Sequence, residues 1–156
     1  VVDVEIRDIE PQDIDELVRN MRQADRDEVK ASSPLSLKSV ITHSVQLSSY
    51  SKAGLVNGEL ACMWGVCPVS LLSSKGSPWL LATYVIEKHP MAFLRRCKPV
   101  IKKLRDSYSN LENYVDARND VAIHWLKWMG FKMEEPKPWG INGLEFHKFT
   151  MRTKNV

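Results

Sequence analysis

Arg95, Arg96 and Lys98, with Lys102, Lys103 and Arg105 behind them, form a positive run able to draw an anion. The run follows Pro90 in a stretch that reads as a helix. A helix start adds unpaired amides and the positive end of the dipole to that charge. The second chemical signal is Asn119, whose side-chain oxygen can accept from an early, otherwise unpaired helix amide. Ala122, Trp125, Leu126 and Met129 then fall at i, i+3, i+4 and i+7, one helix face, while His124 and Lys127 point away. Gly130 suits the left-handed residue that stops a helix, and Phe131 begins the next strand. Cys62, Cys67 and Cys97 are odd in number and lie in apolar surroundings, so free thiols in a reducing cytoplasm are expected. No metal site is expected, because no Cys or His pair has zinc-ligand spacing with a second pair to complete it.

These residues need elements to position them. Val4 to Arg7 alternates as a short strand, and Pro11 opens a helix with the stripe Ile14, Leu17, Val18 and Met21. A charged stretch, Arg22 to Lys30, leads to Ser33, which is expected to cap a second helix with Pro34 at its first position, running towards Tyr50. Lys52–Val56 and Glu59–Val66 read as strands joined by Asn57-Gly58, the strongest short hairpin signal. Ser73 to Pro78 makes the next connection, and Trp79–Ile86 is an apolar run of strand length. Pro90–Tyr108 follows as the basic helix, with Phe93, Cys97, Ile101, Leu104 and Tyr108 inward and Pro99 expected to kink it. Tyr114 and Val115 lie in a strand before the Asn119 helix. Lys132-Met133 begins another strand, Pro136–Gly143 is a loop, and Leu144–Met151 closes the chain.

The order β, α, α, β, β, β, α, β, α, β, β implies an α/β (α+β) fold with a mixed sheet and helices on both faces. A chain of 156 residues without repeats or linkers is read as one domain, 1–156. Its 44% hydrophobic and 26% charged content is that of a soluble globular protein. No apolar run approaches the ~20 residues that a membrane span needs, and no signal peptide is visible.

Asn119, Ala122, Trp125, Leu126, Gly130 and Phe131, taken with this element order, resemble the GNAT superfamily of N-acetyltransferases. The resemblance implies that acetyl-CoA is held where the Trp79–Ile86 strand ends and the basic helix begins. Val85, Met91, Arg95 and Arg96 are then the cofactor-binding residues, with Asn119 near the pantetheine arm, in a V-shaped opening between two parallel strands. Two departures stand out. The glycine-rich phosphate loop is replaced by Glu87-Lys88-His89-Pro90-Met91-Ala92-Phe93-Leu94. It lacks glycine for close backbone approach, Pro90 removes a donor, and Glu87 adds a negative charge. The tyrosine that many members carry seven residues after the asparagine is Leu126, which cannot donate a proton. Tyr84 and Glu87 are the candidate bases for an amine substrate, and the catalytic residues otherwise stay open. Transfer can proceed largely by positioning amine and thioester together, with amides at the end of the Trp79–Ile86 strand stabilising the oxyanion.

Leu111-Glu112-Asn113-Tyr114-Val115, then Asn119, Ile123, Leu126-Lys127, Gly130 and Glu134-Glu135, are similar to the acetyltransferase-like internal virion or morphogenesis proteins of short-tailed bacteriophages. That similarity covers roughly the last third of the chain and implies a phage or prophage protein acting in the host cytoplasm. Two functions follow. One is acetyl-CoA-dependent acetylation of a primary amine. The other is a catalytically silent protein of the same fold that binds a phage or host protein, with Trp139, Trp64 and Trp79 as anchors unless they pack in the core. Nucleic-acid binding ranks last, because a net charge of +3 and pI ≈ 8.8 come without a groove-reading motif.

Overall fold

The computed structural model describes residues 2–153. Strand β1 (Val4–Arg7) leads into helices α1 (Pro11–Asn20), α2 (Gln23–Ser32) and α3 (Leu37–Leu47). A meander follows: β2 (Tyr50–Val56), β3 (Glu59–Pro68) and β4 (Lys75–Ala82). The short α4 (Val85–Lys88) and long α5 (Pro90–Ser107) connect β4 to β5 (Asn110–Asp116). Helix α6 (Asp120–Met129) and strands β6 (Lys132–Met133), β7 (Lys137–Pro138) and β8 (Glu145–Arg152) complete the chain.

The sheet order is β1-β2-β3-β4-β5-β8-β6, with β7 also on β8. All pairs are antiparallel except β4–β5, which is parallel. Helices cover both faces. Leu17 of α1, Val29 of α2 and Ile41 of α3 pack on Ala53, Met63 and Leu81. Phe93, Leu94 and Cys97 of α5 and Trp125 of α6 pack on Cys62 and Trp64 from the other side. Along β3, Met63 faces the first layer while Cys62 and Trp64 face the second, so this strand is apolar and buried from Leu60 to Val66. The Asn57-Gly58 turn has positive φ at both residues (50° and 82°), as a tight hairpin requires.

Three boundaries differ from the sequence reading. Helix α2 fills the charged stretch, and α3 starts later than expected, capped by Ser36, whose Oγ accepts from Ser39 N at 3.2 Å. Ser33 is extended instead (φ −141°, ψ 143°). Helix α2 shows no apolar stripe because part of its inward face is acidic: Asp25 is buried beside Val29 and Ala31. Strand β4 spans Lys75–Ala82 rather than Trp79–Ile86, and its tail has become α4. Pro99 lies within the continuous α5.

Candidate active site

Pro78 decides the shape of the centre. The amide of Ala82 donates to Asp25, and its carbonyl accepts from Arg22 N, so both backbone groups of Ala82 point away from β3. By the alternation of a strand, Leu80, Pro78 and Gly76 point the same way, towards β5. The parallel ladder registers only Lys75 with Asn110 and Gly76 with Leu111. The next position facing β5 is Pro78, which has no N–H to continue it. Beyond that residue the two strands separate.

Asn113 spans the start of the gap. Its Nδ2 donates to the Pro78 carbonyl at 2.8 Å, and its Oδ1 accepts the Tyr114 amide at 2.8 Å. Farther on, Asp25 Oδ2 accepts the Ala82 amide at 3.0 Å and Glu28 Oε1 accepts the Asp116 amide at 2.8 Å. Each strand end in the wedge is therefore satisfied by a side chain. The backbone N–H and C=O of Leu80 face the opening between these bridges.

A cavity of about 200 Å³ fills the wedge and reaches both helical layers. Asp25, Glu28 and Ser32 border it on one side, Phe93, Leu94 and Trp125 on the other, and Tyr114 with Trp139 beside β5. Trp139 stacks on Tyr114 with ring centroids 4.3 Å apart and planes 10° off parallel, and meets Phe146 edge-on at 5.0 Å. The loop carrying it rests on α2, where Ile141 N donates to Ala31 O at 3.1 Å. Gly140 (φ 79°) has no room for a side chain there, since a Cβ would lie 2.4 Å from Ala31 O.

The acids at the wedge differ in their partners. Asp25 is met by Arg22 (2.9 Å), Asn119 Nδ2 (3.0 Å) and the Ala82 amide, yet burial outweighs these and raises its pKa. Asp116 is held below the usual carboxylate range: burial opposes ionisation, but the hydrogen bonds and charge of Arg118 prevail. Among the described residues Glu28 has no cation paired with it. Burial chiefly, then the nearby Asp25 and Asp116, push its pKa up to about 8 against the pull of the Asp116 amide and Asn119. Its Oε1 takes both of those donors, whereas Oε2 has no hydrogen-bond partner among the described residues. A carboxyl anchored by one oxygen, open at the other and tuned near neutrality is what a general base requires. Sequence reading passed over Glu28, and only its position on an inward face of α2 could have marked it.

The residues singled out from sequence lie in three places. Asn119 is buried at the α6 N-terminus; Oδ1 accepts from Ala122 N at 3.4 Å, and Nδ2 donates to Asp25 and Glu28. Tyr84 is exposed before α4, and Glu87 is paired through Oε1 with the buried Arg22 at 2.8 Å. Val85 is half-buried at the start of α4, Met91 and Arg95 are exposed, and Arg96 is exposed with Nη2 on Val4 O at 3.3 Å. The Arg22 guanidinium also lies 5.2 Å from the ring centroid of Trp125. The amides expected to stabilise an oxyanion at the strand end are not free at Ala82, whose N–H belongs to Asp25.

These groups test the fit of an acyl thioester on a pantetheine arm. The wedge fits the arm, because Leu80 offers a strand edge to an extended amide chain and the lining is otherwise mostly apolar. The phosphate end is sparser. Amides of Val85, Ile86, Glu87 and His89 are bonded within the α4 turn, and Pro90 has none. Met91 and Ala92 bring the first amides of α5 without an intrahelical partner.

Among the described residues no helix is long and apolar enough to cross a membrane, and no group of three His, Cys, Asp or Glu is placed to hold a metal. No known family profile and no curated protein sequence matches the chain. Solved structures do. An acetyltransferase of the GNAT family from Streptococcus pneumoniae is 15% identical over 97% of this chain and 100% of its own, with a TM-score of 0.64. The ribosomal-protein-S18-alanine N-acetyltransferase of Escherichia coli is 16% identical over 99% and 96%, with a TM-score of 0.65. A ribosomal-protein-alanine N-acetyltransferase from Brucella melitensis is 12% identical over 96% and 99%, with a TM-score of 0.70. At these identities the likeness is one of architecture, and it agrees with the splayed β4–β5 pair: the chain has the GNAT fold.

Proposed function

We propose that this chain is an N-acetyltransferase that moves the acetyl group of acetyl-CoA to a primary amine by direct attack, with Glu28 taking the amine's proton. The observation that carries this reading is the wedge cavity with Glu28 Oε2 unpaired on one side and the Leu80 backbone exposed on the other. Bound there, the thioester supplies an activated acyl carbonyl. Leu80 N–H is the remaining strand donor for that carbonyl oxygen, since Ala82 is engaged. Glu28, near pH 8, accepts a proton from an ammonium and keeps the amine nucleophilic. Leu126 stands where a proton-donating tyrosine would serve the leaving thiol, so that proton comes from solvent. Val85 of α4 and Met91, Arg95 and Arg96 in the first turns of α5 are the candidates for the nucleotide end. The similarity of the last third to short-tailed-phage proteins adds a phage-type origin to the proposal.

The sparse phosphate cradle favours one second reading, a silent protein of this fold that docks a phage or host protein. Calorimetric titration with acetyl-CoA separates the two. Binding that is weakened by Leu80→Pro, which removes the strand donor, supports acetyl transfer. No heat at millimolar acetyl-CoA overturns it in favour of the silent reading.

A further inference from the structure

The two sides of the wedge cavity differ in charge. Helices α5 and α6 bring Phe93, Leu94, Trp125 and Leu126 to its lining, none of them charged. Helices α2 and α3 bring Asp25, Glu28, Ser32, Val40 and Ser44. Among the described residues the two acids are the only charged groups in the lining, and no lysine, arginine or histidine joins them. Asp25 is already paired with Arg22 at 2.9 Å, which leaves Glu28 as the carboxyl that can meet a cation. Both hydroxyls on this side are turned back on their own helices: Ser32 Oγ donates to Val29 O at 3.1 Å and Ser44 Oγ to Val40 O at 2.8 Å. The rest of this side is aromatic. Trp79 packs with the α1–α3 layer and gives its indole N–H to Ser48 Oγ at 2.8 Å, while Trp139 stacks on Tyr114. All three rings line the cavity.

We infer that the acceptor is an arylalkyl monoamine without a carboxylate, its ammonium on Glu28 and its ring against Trp79, Tyr114 and Trp139. The inference rests on the acyl-transfer reading above. Each part of the class answers to a part of the lining. An α-amino acid would bury its carboxylate with no cation to meet it, which is costly in an apolar site. A polyamine would bring a second ammonium to a site with one available carboxyl. An aromatic body packs on an aromatic wall by offset stacking or edge contact. Size agrees, because an apolar cavity of ~150 Å³ takes a benzene ring. At about 200 Å³ this one has room for a single ring on a short chain. In the reaction the ammonium gives one proton to Glu28, and the freed nitrogen bonds to the acetyl carbon as the carbon–sulfur bond breaks. Nitrogen then sheds its extra proton to water, and the leaving thiolate takes one from water.

The test reads binding to the full chain at pH 8.5, by calorimetry and by the indole N–H signals of ¹⁵N-labelled protein. Four probes are compared. 2-Phenylethylamine has every feature, phenylalanine adds a carboxylate, 2-phenylethanol lacks the ammonium and propylamine lacks the ring. The expected result is that 2-phenylethylamine binds at least about tenfold tighter than each of the others and shifts the Trp79 and Trp139 signals. Glu28→Gln is expected to abolish its advantage over 2-phenylethanol, and Trp139→Leu its advantage over propylamine. Should Trp139→Leu fail to fold, Val40→Phe narrows the cavity from α3 and is expected to weaken 2-phenylethylamine at least about tenfold while sparing propylamine. Acetyl-CoA is titrated into the same samples. If it binds while phenylalanine and 2-phenylethylamine bind equally, the acceptor class is overturned and the transfer reading stands. If acetyl-CoA does not bind, the transfer reading falls and the acceptor class with it.

Discussion

Asn113 reaches across the β4–β5 gap to donate to the carbonyl of Pro78 at 2.8 Å, and it is the last direct link before the strands diverge. Proline withholds the amide that would have kept the ladder closed, and asparagine satisfies the acceptor left behind. The wedge therefore follows from a proline and an asparagine facing each other across it.

Asn113→Ala leaves the Pro78 carbonyl and the Tyr114 amide without their partner in a confined space. A loss of about 1–2 kcal/mol in urea unfolding is expected, with faster amide exchange at Tyr114. Unchanged protection at Tyr114 would show that the bridge does not hold the gap.

Glu28 sets a pH dependence whose sign is fixed. Its folded pKa, about 8, lies above the ordinary 4.5, so the native chain keeps a proton that the unfolded chain releases. Its contribution is fully favourable below pH 4.5 and is lost as pH rises towards 8. Glu28→Gln keeps the shape without the titration. The variant is expected to match wild type at pH 5, to melt at least ~3 °C higher at pH 8.5, and to acetylate amines at least ~100-fold more slowly. A variant as active as wild type would remove Glu28 from the chemistry.

Asp13 works in the opposite sense. Burial disfavours its charge, but two hydrogen bonds from Arg7 (2.7 and 3.0 Å), the Glu10 amide (2.7 Å) and the Arg7 charge outweigh that and lower its pKa. Its stabilisation is present above the ordinary carboxylate pKa and fades as pH falls through the lowered value. Asp13→Ala also strips the start of α1 of its cap. A loss of about 2–3 kcal/mol at pH 7, shrinking towards pH 3, is the expected outcome of denaturation at the two pH values.

Gly140→Ala tests how the Trp139 loop is seated. The new Cβ would sit 2.4 Å from Ala31 O at a φ of 79° that alanine adopts poorly, so the loop must lift from α2. Destabilisation of about 2 kcal/mol or more is expected, with brighter quenching of tryptophan fluorescence by added acrylamide. Trp139→Ala loses the same stacking on Tyr114 and Phe146 and is expected to cost a similar amount, as a packing residue rather than a docking anchor would.

Periodicity in the sequence was enough to determine the hairpin at Asn57-Gly58, the α5 and α6 helices and the cap at Asn119, because these are local matters of spacing, turn chemistry and capping. Helix α2 escaped notice, since an inward face carrying Asp25 and Glu28 leaves no apolar stripe to read. The end of β4 was displaced for a related reason: Gly76 and Pro78 read as a loop until β3 is seen pairing with both on one side, with Leu111 beside Gly76 and the Asn113 side chain on Pro78 on the other. The site itself was decided by tertiary structure. Glu28 becomes a candidate base only when folding half-buries it and sets it beside Asp116 and Asn119, 88 and 91 residues away along the chain. Desolvation and long-range pairing have no signature in a local window, so chain order alone carries the frame and three-dimensional packing supplies the chemistry.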